Sequence, residues 1–321
     1  MVINLKNNHF SKEKIKEAWN EIKKANKVTF LTHYKPDGDG ISACAALSKI
    51  CEHLCKDIET IYPNKSEFEY KRQPKNILIN KHKQIPDLII VCDTANYERM
   101  YFNPDFEMIP MINIDHHVSN TINATFNFID PNVSSACEII YELIKEWNND
   151  LFDKYIAESL LMGILYDSQI FHTQSVTSKT LRIAADLMDL GANLFKLKIE
   201  LLANKNPKII KLWGNILQNI KINQKENCAW TKLTQEEMKK FNVIPKCLIG
   251  FNNFLSGLSN IDITLFFYET KNRKTKVSLR SKKTDVNLLA SKFGGGGHKN
   301  AAGILSDKPM DELIKEILKE I

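Results

Sequence analysis

Apolar and polar positions divide the first half of the chain into short strand-like runs and longer helix-like stretches. Continuous apolar or β-rich runs, typical of buried strands, predict strands over 27–32, 58–62, 87–92 and 111–114. Between them, apolar residues recur at helical spacing over 11–25 and 40–55. This order predicts an α/β fold, a parallel sheet with helices on both faces.

The pattern changes twice further along the chain. Amphipathic spacing predicts consecutive helices over 135–147, 154–165, 178–190 and 194–203. After them, strand patterns over 228–233, 261–268 and 276–279 alternate with helix patterns over 286–293 and 310–321, which indicates a smaller α+β domain. We therefore expect a first domain over 1–204, a linker helix within 205–223 and a second domain over 224–321. The lysine-rich stretch 63–84 is interpreted as one long loop.

Composition and charge narrow the class of protein. The 321 residues include 43% hydrophobic and 26% charged residues, which is ordinary globular composition. No apolar run reaches the roughly 18–20 residues that span a bilayer, and the amino terminus lacks an apolar signal segment. We therefore expect a cytoplasmic protein without a membrane partner. The net charge of +6 divides into −4 over residues 1–204 and +10 over residues 205–321, so the second domain favours an anionic partner.

The seven cysteines are odd in number and form no C-x2-C pair. A chain of this length does not need disulfides for stability, so free thiols in a reducing compartment are expected. Without Cys/His clusters at zinc spacing, a zinc site is disfavoured.

Polar side chains that follow the predicted strands carry the candidate chemistry. In an open parallel sheet, ligands bind beyond the carboxyl ends of the strands. Histidine and aspartate side chains in these places offer six metal ligands: His33, Asp37, Asp39, Asp93, His116 and Asp167. Such a mixed set suits Mn²⁺ or Fe²⁺ better than Mg²⁺. With one carboxylate bridging, six ligands serve two divalent metal ions, the arrangement used for in-line phosphoryl displacement.

Each motif also has a plain structural interpretation. An Asp-Gly-Asp-Gly turn is usually a solvated loop, and a single aspartate after a strand is often a helix cap. The metal-site interpretation rests on their occurring together, in this order, after successive strands.

A second candidate site lies near the carboxyl terminus. Four consecutive glycines precede His298, and Gly295, Gly296 and Gly297 suit an anion cradle because they expose backbone N–H groups. The alternative is a flexible linker. Upstream, seven basic and no acidic residues lie between 271 and 283, and most of them suit a solvated hairpin. Arg280, at the end of a predicted strand, is expected to bind phosphate.

Together these motifs resemble the DHH phosphoesterases that carry a C-terminal DHHA1 domain, over about residues 27–305. The subgroup that the chain resembles most includes the oligoribonucleases (nanoRNases) and pAp phosphatases. The resemblance implies that His33, Asp37 and Asp93 hold one Mn²⁺. It also implies that Asp39, Asp93, His116 and Asp167 hold the other, with Asp93 bridging.

The resemblance also implies roles for residues around the metals. His117 would face the scissile phosphate, and Asp115 would orient the histidine pair. Arg280 and His298 would bind the far end of the substrate across a cleft between the domains. A homodimer fits the family. Four residues depart from the subgroup: Gln169 and Ile170 stand where two glycines are common, His172 where arginine is common, and Gly40 where alanine is common.

Together with this resemblance, these residues predict a Mn²⁺-dependent phosphodiesterase that cleaves short oligoribonucleotides (nanoRNA such as pGpG) to 5′-mononucleotides, with pAp as a further substrate. The departures leave open a cyclic-dinucleotide (c-di-AMP) phosphodiesterase. An inorganic pyrophosphatase shares the Asp-His-His site but not the glycine run. A nucleic-acid-binding module without catalysis is the alternative from another class.

Overall fold

The structure, a computed structural model, describes residues 10–66, 70–202, 207–243, 248 and 251–321. The chain divides into two compact units, Met1–Ala203 and Asn204–Ile321. Within the described ranges, no helix is long and apolar enough to cross a bilayer. The six cysteines within these ranges are free thiols, and Cys247 lies outside them.

The first unit contains a parallel sheet of six strands in the order β3-β2-β1-β4-β5-β6. The strands are β1 (Lys27–Leu31), β2 (Asp57–Tyr62), β3 (Ile77–Ile79), β4 (Leu88–Cys92), β5 (Met111–Asp115) and β6 (Phe126–Ile129). The helices are α1 (Lys12–Lys24), α2 (Gly38–His53), α3 (Ala136–Trp147), α4 (Lys154–Asp167), α5 (Ser178–Asp189) and α6 (Leu194–Leu202). The sheet order reverses between β1 and β4, which is the place where open α/β sheets bind ligands.

The two faces of this sheet are covered differently. Side chains such as Phe30, Ile90 and Ile114 pack with α1 to α4 in the larger core. The opposite face, with Leu31 and Val91, packs against the segment that includes two short 3₁₀ helices, Tyr97–Arg99 and Pro104–Phe106. α-Helices therefore cover one face of the sheet, and the segment with the 3₁₀ helices covers the other. The buried strand ends can hold polar groups away from water.

The second unit contains a mixed sheet in the order β11-β12-β10-β9-β8-β7, in which only the β8–β9 pair is parallel among the described pairs. Its strands are β7 (Lys221–Asn223), β8 (Cys228–Leu233), β9 (Ile263–Glu269), β10 (Thr275–Ser281), β11 (Gly296–His298) and β12 (Ala301–Ser306). Its helices are α7 (Pro207–Gln218), α8 (Gln235–Lys240), α9 (Phe251–Ser256), α10 (Val286–Lys292) and α11 (Met310–Lys319).

The fold class predicted from the pattern is confirmed: a parallel-sheet α/β unit and a smaller α+β unit. The interpretation of 63–84 as a single loop is wrong, because Ile77–Ile79 forms the edge strand β3 beside β2. Three residues are too few to give a period-two signal. The strands β6, β7 and β11 and the helices α8 and α9 also escaped the pattern, because each has only three to six residues.

Candidate active site

The polar residues after β1, β4 and β5 converge at the carboxyl edge of the parallel sheet. Ligand atoms there form three groups, in each of which all atoms lie within 4.8 Å of one another. The groups are His33, Asp37 and Asp93; then Asp39, Asp93, His116 and Asp167; then Asp93, His116 and His117. The structure therefore brings all six sequence-predicted metal ligands together, and Asp93 belongs to every group.

Asp93 owes its central place to the local backbone. It follows β4 with a left-handed φ of 53°, and its backbone N–H donates to the carbonyl of Ile114, 2.9 Å away. The side chain is 3% exposed. Its Oδ2 lies 3.4 Å from Nε2 of His33, and its Oδ1 lies 3.5 Å from Nε2 of His116. Asp93 follows β4 and thus stands between the histidines that follow the two flanking strands, β1 and β5.

The ring of His33 is oriented by the backbone. Its Nδ1 lies 2.9 Å from the carbonyl oxygen of Tyr34, which can only accept, so Nδ1 carries the proton. Nε2, 3.6 Å from Oδ1 of Asp37, is therefore the ring nitrogen that has a lone pair for a metal ion once its proton is lost. A histidine whose other ring nitrogen is fixed in this way is typical of metal sites.

Asp37 and Asp39 are held at the start of α2. Oδ1 of Asp37 accepts from the backbone N–H groups of Asp39 and Gly40, at 3.0 and 3.3 Å, so Asp37 is a helix cap as well as a candidate ligand. Asp39 is fully buried, and its two oxygens accept from the N–H groups of Ala136 and Cys137, at 2.6 and 3.3 Å. These donors lie in the first turn of α3, whose dipole favours a negative charge there.

Close approach of α2 and α4 requires glycine at Gly163. A Cβ atom at this position would lie 2.3 Å from Sγ of Cys137 and 2.5 Å from Oδ1 of Asp39. No prediction from the sequence included Gly163 or the N–H groups of α3. The sequence did contain one indication, a lone glycine inside a helical pattern. Such a glycine lowers helix stability by roughly 1 kcal/mol relative to alanine, so it usually has a packing or functional reason.

His116 and Asp167 close the cluster from β5 and α4. Nε2 of His116 lies 3.1 Å from Oδ2 of Asp167, which is the last residue of α4. His117 differs, because its Nδ1 donates to Oδ1 of Asp115 at 2.7 Å. Asp115 is fully buried at the end of β5, as expected of a group that orients the histidine pair.

The backbone after Asp167 is unusual. Gln169, Ile170 and Phe171 have φ angles of 49°, 59° and 63°, a left-handed conformation that is rare for non-glycine residues. The buried Ser168 anchors this turn: its Oγ accepts from the N–H of Phe171 at 3.0 Å. Ile170 and Phe171 pack against the core, so their apolar contacts offset the unfavourable conformation. Gln169 and His172 are exposed.

Burial and neighbouring charges shift the pKa values of the cluster in opposite directions. Burial alone would lower the pKa of His33 and His116, but their carboxylate neighbours raise these pKa values to about 11 and about 12. Burial raises the pKa of Asp167 to about 6 and raises that of Asp39 further above its usual range. Burial also opposes ionisation of Asp93, but the imidazoles of His116 and His33 hold its pKa below the usual range.

The donor set fits divalent metal ions. Oδ1 of Asp93 is buried and accepts no hydrogen bond, which is costly unless something else occupies its lone pairs. Around it, the pKa values of His33, His116 and Asp167 are raised, so these groups hold protons more tightly than usual. Divalent cations would replace those protons and satisfy the oxygen and nitrogen ligands together.

The sequence-predicted phosphate ligands lie in the second unit. Arg280 of β10 pairs with Ala301 of β12, which in turn pairs with His298 of β11. Directly paired residues point to the same face of a sheet, so Arg280 and His298 share a face, two strand spacings or roughly 10 Å apart. Burial lowers the pKa of Arg280, and its Nη1 donates to the carbonyl of Leu279 at 2.9 Å.

The glycine run has a structural role of its own. A Cβ atom at Gly295 would lie 2.2 Å from the carbonyl oxygen of Gly303, and one at Gly297 would lie 2.5 Å from that of Ala301. Gly297 also has a φ of 153°. Gly296 differs, because its nearest contact would be Oδ1 of Asn287 at 3.9 Å. Gly295 and Gly297 thus allow β11 to lie against β12, and Gly296 is free of this constraint.

Comparison with known families agrees with this arrangement of two units. The model of the DHH family, N-terminal domain, matches residues 27–164, and the DHHA1 domain matches residues 231–321. The chain therefore belongs to the DHH family of phosphoesterases, a family of hydrolases, and carries a DHHA1 domain. The resemblance inferred from the motifs is confirmed.

Individual relatives cover almost the whole chain. The protein from Mycoplasma genitalium is 27% identical over 323 residues, 97% of this chain and 98% of the relative. The protein from Bacillus subtilis is 28% identical over 300 residues, 89% of this chain and 91% of the relative. Both are named bifunctional oligoribonuclease and PAP phosphatase NrnA. The crystal structure of an exopolyphosphatase-related protein from Bacteroides fragilis matches with a TM-score of 0.89 at 25% identity, over 98% of this chain and 96% of that one.

Proposed function

We propose that the protein is a Mn²⁺-dependent phosphodiesterase that hydrolyses short oligoribonucleotides, such as pGpG, to 5′-mononucleotides and removes the 3′-phosphate of pAp. The observation that carries the proposal is the overlap of the three ligand groups at Asp93. Relatives named oligoribonuclease and PAP phosphatase, aligned over nearly the whole chain, support the substrate class.

His33, Asp37 and Asp93 would hold one metal ion, and Asp39, Asp93, His116 and Asp167 would hold the other. Two such ions supply an activated water and neutralise the charge that develops on the phosphate oxygens. Mn²⁺ is favoured over Mg²⁺ because histidine nitrogens belong to both sets.

The remaining polar residues would bind and orient the substrate. Because Nδ1 of His117 donates to Asp115, Nε2 is the ring nitrogen left for a phosphate oxygen or for the proton that the leaving oxygen needs. Arg280 and His298, with the N–H groups of Gly296 and Gly297, would bind a second phosphate. The N–H of Gly295, which the sequence suggested as a further donor, already donates to the carbonyl of Ala290 at 2.9 Å. Action in the cytoplasm and a homodimeric state stay predictions.

The test is a substrate panel with purified protein, Mn²⁺ or Mg²⁺, and pGpG, pAp, pyrophosphate, a cyclic dinucleotide and a long single-stranded RNA. We expect turnover of pGpG and pAp, with 5′-mononucleotides as products, and faster turnover with Mn²⁺. Turnover of the cyclic dinucleotide alone would replace the proposal with a cyclic-dinucleotide phosphodiesterase. Binding of nucleic acid without any turnover, together with absence of bound metal, would favour the non-catalytic module.

A further inference from the structure

Asn120 reaches back from the turn after His117 to the carboxylate of Asp115. Its Nδ2 donates to Oδ2 of Asp115 at 2.5 Å and to the carbonyl oxygen of Thr94 at 2.9 Å. Its Oδ1 accepts from the backbone N–H of Ile122 at 3.0 Å and from Nδ2 of Asn113 at 3.2 Å. All four hydrogen-bonding positions of this amide are therefore occupied.

The partners fix which way the amide of Asn120 points. A backbone N–H only donates and a backbone carbonyl only accepts, so Oδ1 must face Ile122 and Nδ2 must face Thr94. The second N–H of Nδ2 is then directed at Asp115. No other side chain of similar size both donates twice and accepts twice, since serine is too short and aspartate cannot donate when ionised.

Asp115 connects Asn120 to the active site. Its Oδ1 accepts from Nδ1 of His117 at 2.7 Å and from the backbone N–H of His116 at 2.8 Å. Its Oδ2 is the atom that Asn120 holds. Because Asn120 fixes one oxygen of this buried carboxylate, the other oxygen stays in line with the ring of His117.

We propose that Asn120 is a positioning residue, which orients Asp115 and thereby fixes the ring orientation and tautomer of His117. The inference rests on the proposed function only for its kinetic test. Hydrogen-bonding partners behind a site histidine typically contribute about 10–100-fold in activity or metal affinity. Since Asn120 does not touch the substrate in this account, its loss should lower kcat and leave KM nearly unchanged.

The kinetic experiment compares Asn120→Ala with the matched control Asn127→Ala. Asn127 also accepts from Nδ2 of Asn113, at 3.1 Å, so the control removes an amide from the same network without touching Asp115. We expect a roughly 10–100-fold lower kcat on pGpG for Asn120→Ala, with KM changed less than about threefold, and near wild-type kinetics for Asn127→Ala. Equal kcat for the two variants would overturn the proposal.

A second readout does not depend on activity. In the metal-free protein, the Nδ1 proton of His117, assigned with His117→Asn, should give a protected NMR signal in wild type and Asn127→Ala. That signal should be lost in Asn120→Ala, and also in Asn120→Asp, which keeps the shape but places a second carboxylate beside Asp115. Asn120→Asp serves if Asn120→Ala does not fold. An unchanged signal in the folded Asn120 variants would overturn the proposal, whereas failure of wild type to cleave pGpG would overturn the proposed function alone.

Discussion

The two candidate sites that the sequence indicates, one in each unit, differ in how deeply their residues are buried. In the first unit, Asp39, Asp93 and Asp115 are nearly or fully buried at the ends of strands and helices. In the second unit, Gly296 and His298 lie exposed in the edge strand β11. The aspartates of the first unit are polar groups held away from water, which is energetically costly. The glycine run of the second unit is shaped largely by backbone contacts.

This difference separates a motif whose burial calls for a ligand from a motif that strand packing alone can explain. Burial of several carboxylates and imidazoles destabilises the metal-free fold unless a ligand compensates, so the arrangement suits a cation. A glycine run needs no ligand when a close strand pair already explains it, as at Gly295 and Gly297. In the second unit, the functional signal therefore rests on Arg280, His298 and Gly296.

The largest expected effect is the loss of the shared carboxylate. Residues behind a metal ligand typically contribute up to roughly 100-fold in activity. Asp93→Asn should lower kcat by more than this, because Asp93 belongs to every ligand group. The control is Asp130→Asn, another buried aspartate in the same unit, which bonds to Asn132 and belongs to none of the three groups. Kinetics on pGpG with Mn²⁺ make the comparison, and wild-type kcat for Asp93→Asn would refute the shared site.

A smaller effect is expected from a substitution in the second unit, and it should change KM and not kcat. Arg280→Ala should raise KM about 10–100-fold, since a charge-assisted hydrogen bond to phosphate contributes roughly 1.5–3 kcal/mol. Lys276→Ala is the matched control, because Lys276 lies on the same face of β10 and its Nζ lies 5.9 Å from the ring centroid of Tyr268. If both variants raise KM equally, general positive charge and not Arg280 binds the phosphate.

The glycine run allows structural and binding roles to be separated. Gly295→Ala should lower the free energy of unfolding by about 1–3 kcal/mol, because its Cβ would overlap the carbonyl oxygen of Gly303. Gly296→Ala should leave stability nearly unchanged. It should raise KM if a phosphate binds the backbone N–H of Gly296, because the added Cβ would crowd the anion. Denaturant unfolding and kinetics measure the two quantities, and an unchanged KM for Gly296→Ala would remove this glycine from the anion site.

The smallest effect concerns the pH dependence of stability without metal. The pKa values of His33 and His116 are raised from 6.5 to about 11 and about 12, so their contribution is present below pH 6.5 and lost as pH rises through the folded values. Asp167, raised from 3.8 to about 6, acts in the same direction between those two values. The melting temperature with chelator should therefore fall between pH 6.5 and pH 9.

Added Mn²⁺ should reverse this trend, because metal ions compete with protons for the same ligands and bind better as pH rises. His33→Asn should flatten the pH dependence of the chelated protein. A melting temperature that rises from pH 6.5 to pH 9 in wild type but not in His33→Asn would contradict the assigned pKa directions.

Much of the fold and the ligand set could be predicted because each leaves a local trace in the sequence. The continuous apolar runs of β1, β4 and β5 predicted the strands, and the polar residues directly after them predicted the cluster. What the sequence could not indicate depends on distant contacts. The N–H groups that hold Asp39 belong to a segment 97 residues away, and the carbonyl near Gly295 comes close only when β11 pairs with β12. The bond from Asn120 to Asp115 is local but depends on the conformation of the turn between them, which has no periodic pattern.

The central claim, that two metal ions share Asp93, is tested most directly by crystals soaked with Mn²⁺ and examined by anomalous scattering. If Asp93 bridges two metal ions, two manganese peaks are expected about 3.5–4 Å apart, both in contact with Asp93. A single peak, or two peaks of which one lies away from Asp93, would contradict it.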